Sequence, residues 1–141
     1  MTRVFVDANI VFSAAQYPES RIAAFIHHSK AMGLRCLCSP AVIEEAVVNL
    51  KKKHPKGLPQ VALLLAKMEH VQALPGAKCP VKLADKDHHV LLAALAGKAD
   101  VLVTGDLKDF GPLMNDPKKA AGILVQTFSQ FMVALEREKG R

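Results

Sequence analysis

Several carboxylates stand at unusual places in this chain. Asp7 ends the apolar run RVFV with an amide, Asn9, two positions later, and Asp106 sits in TGD just after DVLV. Asp85 and Asp87 open DKDHHVLLAALAGKA, and Glu44 and Glu45 lie inside SPAVIEEAVVNL. A charge among Val, Phe and Ile is costly unless it stands at the end of an element and has a partner. Brought together, such acids repel: a pair about 4 Å apart costs about 4 kcal/mol at an effective dielectric of 20. A cluster of them must protonate, accept basic partners or bind cations. With oxygen ligands and no thiolate, the cations that fit are Mg²⁺ or Mn²⁺ rather than zinc. Carboxylates holding one or two such ions suit phosphodiester hydrolysis: one ion lowers the pKa of a bound water, and a second stabilises the leaving oxygen. That chemistry needs no protein nucleophile, and the chain offers no Ser-His-Asp arrangement.

Taken singly, most of these acids have plainer roles. Asp85 fits a helix N-cap and Asp87 a first-turn acid favoured by the helix dipole. Glu44 and Glu45 fit a solvated helix face, and Asp106 an ordinary turn. Asp7, at the end of an apolar strand, points to function unaided.

The elements that must position them alternate. RVFV reads as a strand ending at Asp7, and SRIAAFIHHSKAMG as a helix stopped by Gly33. LRCLC is a second strand, and Ser39-Pro40 supplies an N-cap and an N1 proline for a helix to about Lys52. After the breaker-rich KKKHPKGLP, a helical stripe of Val61, Leu64, Leu65 and Met68 follows, and HVQAL reads as a short strand. DKDHHVLLAALAGKA is a helix stopping at Gly97; DVLVTGD is a buried strand with a sharp turn, and GILVQ another strand. Phe128, Phe131, Met132 and Leu135 form a final stripe, with Thr127 and Gln130 spaced as a capping box. The order βαβααβαβ(α)βα, with near-continuous apolar strands, predicts a three-layer α/β/α sandwich on a mostly parallel sheet. Ligands of such sheets gather beyond the carboxyl ends of strands, near a switch in strand order. If the Asp7 strand and the DVLV strand are neighbours there, the acids converge.

With 141 residues and 50% hydrophobic content, the whole of 1–141 reads as one domain with a proper core. No apolar run approaches the roughly 20 residues of a membrane span, and the N-terminus does not read as a signal peptide. Three cysteines argue against a disulfide framework and for a cytoplasmic protein. Cys36 and Cys38 read as buried core thiols. The net charge of +6 favours a polyanionic partner, yet six Phe, one Tyr and no Trp leave little for a base-stacking platform. Nucleic acid would therefore be held mainly through its phosphates. Lys51, Lys52, Lys53 and Lys56 form a basic run, read as a solvated helix end or a steering patch for RNA.

The stretches VFVDANIVFSA, SPAVIEEAVVNL and DKDHHVLLAALAGKADVLVTGDLKDF, from Val4 to Phe110, resemble the successive motifs of the PIN domain family. The resemblance implies an acidic site of Asp7, Glu45, Asp87 and Asp106, with Asn9 and Thr104 as supporting polar groups. Glu45 is preferred to Glu44 by its spacing from Ser39 and Leu50, and Asp87 to Asp85 because it directly precedes HHVLLAAL. It further implies a Mg²⁺- or Mn²⁺-dependent ribonuclease, often the toxin of a type II toxin–antitoxin pair, with RNA, a cognate antitoxin and a second copy as partners. His88 and His89 fall where the family varies and are read, like His27 and His28, as solvated or RNA-contacting at most. Two alternatives stand beside it. One is a catalytically degenerate PIN-like RNA-binding module. The other, a haloacid-dehalogenase-type phosphatase, needs Asp-x-Asp where this chain has Asn9. A phospho-receiver module is disfavoured, because HVQALPGAK carries no phosphoacceptor Asp.

Overall fold

Val4, Phe5 and Val6 are consecutive and all fully buried in the computed structural model, which describes residues 1–139. Successive side chains of a strand point to opposite faces, so such a run needs cover on both. The structure supplies it. Strands β1 (Thr2–Val6), β2 (Leu34–Cys38), β3 (Glu69–His70), β4 (Val101–Val103) and β5 (Leu124–Gln126) form one sheet in the order β3-β2-β1-β4-β5. Every pairing is parallel, with Val4 opposite Cys36 on one side and Val101 on the other. The fold is the expected α/β sandwich. The chain runs outward from β1 to β3, then returns to lay β4 against the free side of β1. The switch in strand order therefore falls between β1 and β4.

Helices fill the crossovers: α1 (Ala8–Gln16) and α2 (Arg21–His27), α3 (Pro40–Lys53) and α4 (Leu58–Leu65), α5 (His88–Ala96) and α6 (Leu107–Phe110); α7 (Phe128–Lys139) follows the last strand. Ser39 caps α3 through its hydroxyl, with Pro40 first in the helix. Thr127 and Gln130 form the reciprocal capping box at the start of α7. Cys36 and Cys38 are buried free thiols, pushed by burial up to about 12. None of the described helices is long and apolar enough to cross a membrane.

Three details differ from the sequence reading. The stretch ANIVFSAAQ, to which the sequence reading assigned no element, is helix α1. Its N-cap is Asp7, in extended conformation, and its buried face is Ala8, Ile10, Val11, Ala14 and Ala15. Capping and a face repeating every three to four residues override the strand preference of Ile and Val. The second helix is shorter than expected: α2 ends at His27, and a 3₁₀ turn at Lys30–Met32 carries the chain to Gly33, whose φ of 77° admits the left-handed turn. In place of the expected HVQAL strand over residues 70–74, β3 is the two residues Glu69–His70, and only His70 is common to both. Gly97 ends α5 as expected, but for a packing reason: a Cβ there would lie 2.9 Å from Val71 Cγ1.

Candidate active site

Asp7 leaves the carboxyl end of β1 and enters α1, so one side chain serves two elements. Its Oδ1 accepts the Ala8 amide at 2.7 Å, and its Oδ2 accepts the Thr104 hydroxyl at 2.8 Å. Thr104 is fully buried just past β4. Its Oγ1 also accepts the Asp106 amide at 3.0 Å, which fixes the turn of TGD against Asp7. Asn9 completes the lock: its Nδ2 approaches Asp7 Oδ2 at 3.4 Å, and its Oδ1 accepts the Gly105 amide at 2.8 Å. A Cβ at Gly105 would sit 3.3 Å from that oxygen, so the glycine permits the close approach. Asn9 and Thr104 thus join the two strand ends across the switch point.

The remaining acids reach the same place from other elements. Asp7, Glu45, Asp87 and Asp106 all line one cavity of ≈ 300 Å³, together with Asn9, Phe12, Asn49, Lys53 and Lys86. Glu45 comes from the middle of α3 and is exposed, whereas Glu44 faces a separate hollow with Ser39 and Ile43. Asp87 is buried at the 3₁₀ turn leading into α5, whereas Asp85 is exposed and lies 3.6 Å from His88 Nε2. One residue the sequence reading did not single out belongs to the cluster: ligand-capable atoms of Asp87, Asp106 and Asp109 lie within 4.8 Å of one another. Asp109 is placed by α6, where its amide donates to Asp106 Oδ1 at 3.0 Å. The i, i+3 spacing in DLKD, read as a helix cap and its third residue, was the available signal.

Burial sets the electrostatics. It raises the pKa of Asp7, against the pull of the Thr104 and Ala8 hydrogen bonds. It pushes Asp87 up to about 6, opposed by Lys86 and reinforced by Asp109, Asp106 and Asp7. Lys86 bonds to Asp109 at 2.6 Å, which lowers the carboxyl and raises the amine. His88 and His89, read as solvated or RNA-contacting at most, are both half-buried: His88 Nε2 lies 2.7 Å from the Leu83 carbonyl, and His89 Nδ1 is buried without a partner. Asp87 Oδ2 is likewise buried with no hydrogen-bond partner. An orphaned carboxylate oxygen within a tight all-oxygen group is what a hard divalent cation satisfies, with oxygen ligands at about 2–2.6 Å. The residues fit such an ion.

Fold and cleft together define a parallel α/β protein with an acidic site at its topological switch. A model of the PIN domain family matches residues 3–108, and the chain belongs to that family. Solved structures agree on the fold. VapBC2 from Rickettsia felis, bound to a DNA fragment from their promoter, superposes with TM-score 0.61 at 15% identity, covering 89% of this chain and 98% of that one. PAE2754 from Pyrobaculum aerophilum gives TM-score 0.61 at 19% identity, with 96% and 90% covered. VapBC-1 from nontypeable Haemophilus influenzae gives 0.54 at 13%, with 91% and 99% covered. A sequence search of curated proteins finds no match.

Proposed function

We propose that this chain is a divalent-metal-dependent ribonuclease that hydrolyses phosphodiester bonds in RNA. The observation that carries the reading is the convergence of Asp7, Glu45, Asp87 and Asp106 on one cavity, with Asp87 Oδ2 buried and unpaired. In this reading Asp7, Asp87, Asp106 and Glu45 hold Mg²⁺ or Mn²⁺, and Asp109 joins them. When bound, the ion supplies a lowered pKa for water and charge at the phosphoryl oxygens. The protein's part is placement. Thr104 and Asn9 hold Asp7 and the Asp106 turn rigid across two strands, so the carboxylates meet the ion without rearranging. Lys53 and Lys86 stand at the cavity wall, where a phosphate backbone must approach.

Two of the structural relatives are VapBC proteins. They support a toxin role in a toxin–antitoxin pair, with an antitoxin as partner; a second copy of the chain is proposed on the family resemblance, and a cytoplasmic setting on the three free cysteines. The direct test is incubation of the purified chain with single-stranded RNA in Mn²⁺ or Mg²⁺, with EDTA as the control. Metal-dependent fragments ending at internal phosphodiesters support the reading. RNA that is bound but left whole at every metal concentration replaces it with the binding-module alternative.

A further inference from the structure

Beside the acidic cavity lies a larger groove of ≈ 830 Å³ between the segment before Asp85 and the segment after Asp106. Leu83 and Pro112 give it an apolar lining, and Lys82, Lys108 and Lys119 line it as well. All three lysines are exposed. Lys119 has one weak partner, Asp116 at 4.0 Å, and no ion pair is formed by Lys82 or Lys108 among the described residues. Asp109 lines the groove and belongs to the acidic cluster as well. The groove therefore begins where the cluster ends, and both its walls continue into the turns that carry Asp87 and Asp106.

Resting on the nuclease reading above, we infer that this groove seats the single-stranded RNA flanking the scissile phosphate. Three cations lining an apolar trough match a polyanion whose bases need a dry surface and whose phosphates need charge. With few aromatic side chains in the chain, bases pack on Leu83 and Pro112 without stacking. The groove therefore grips RNA with little regard to sequence, and discrimination falls to the acidic cavity. An acidic or apolar protein segment is the competing occupant, and the test separates it.

The experiment measures anisotropy of a fluorescein-labelled, mixed-sequence 12-nucleotide RNA, with Ca²⁺ replacing Mg²⁺, across a salt series. The variant is Lys82→Gln/Lys108→Gln/Lys119→Gln. Its charge-matched control is Lys30→Gln/Arg35→Gln/Lys67→Gln, in a basic hollow at the opposite end of the sheet. Losing three phosphate contacts lowers the slope of log K against log salt by about 2, at roughly 0.7 per contact on a single strand. Affinity at low salt then falls at least ~10-fold, and the control stays within about twofold of the parent. Lys108→Gln alone lowers the slope by about 0.7, which keeps the test open if the triple variant folds poorly. If slope and affinity are unchanged while the parent binds, the groove does not seat RNA, and the nuclease reading stands. If the parent itself binds no RNA, the nuclease reading falls and the groove with it.

Discussion

The Thr104 hydroxyl donates to Asp7 Oδ2 at 2.8 Å across the boundary between β4 and β1. Thr104 Oγ1 also accepts the Asp106 amide, so one buried hydroxyl sets the separation of two acids that are 99 residues apart in sequence. Thr104→Val keeps the shape and removes both bonds, leaving a buried amide and carboxylate short of partners. A cost of about 1–3 kcal/mol in stability follows. RNA cleavage falls about 10-fold or more in kcat with KM little changed, because the loss is of carboxylate placement and not of RNA contact. Thr104→Ser restores both, whereas a purely packing role is better served by Val than by Ser.

The raised pKa of Asp87 makes the metal-free protein less stable as pH rises. The folded state binds the Asp87 proton up to about 6, while the unfolded chain releases it near the ordinary aspartate value. The favourable contribution is therefore present below about 4 and lost as pH rises through about 6. Asp87→Asn abolishes this dependence. In EDTA, the Tm advantage of Asp87→Asn over the parent widens between pH 4.5 and pH 7. A gap that stays flat across that range contradicts the assignment of a strained carboxylate.

Lys86 and a divalent cation compete for Asp109. The lysine is solvent-exposed, so water and salt screen the ion pair and it is weak. Lys86→Gln releases Asp109 and lowers the Mn²⁺ concentration that half-saturates thermal stabilisation by about two- to fivefold. Weaker Mn²⁺ binding in this variant places Lys86 in support of the ion instead.

Gly97→Ala tests a packing claim remote from the cleft. The new Cβ meets both Val71 methyl groups at 2.9 and 3.0 Å. Overpacking of this kind costs about 1–3 kcal/mol. Adding Val71→Ala recovers much of the loss in chemical denaturation, whereas a backbone origin for the cost leaves the double variant no better than the single.

The sheet was legible because buried parallel strands are short apolar runs with turn signals between them, as RVFV and DVLV show. Helix α1 was not, because Ile10, Val11 and Phe12 carry strand preference and the aspartate that caps the helix also ends the strand. Asp7 and Asp106 were legible as strand-end acids. Glu45 and Asp87 were separable from Glu44 and Asp85 through family resemblance, and the structure places each pair on different surfaces. Asp109 was hidden because its meaning depends on a one-turn helix that only tertiary contacts stabilise, and Lys86 because its partner lies across the cleft.

The central claim rests on Asp7, and Asp7→Asn measures it. Asparagine caps a helix as well as aspartate, so α1 keeps its N-cap, and removing a charge raised in pKa by burial relieves the cluster. Mn²⁺-dependent RNA cleavage and Tm in EDTA are read side by side on parent and variant. The account predicts cleavage reduced at least ~100-fold, with Tm unchanged or higher. Cleavage equal to the parent, with Tm reduced, contradicts it and leaves Asp7 a structural cap.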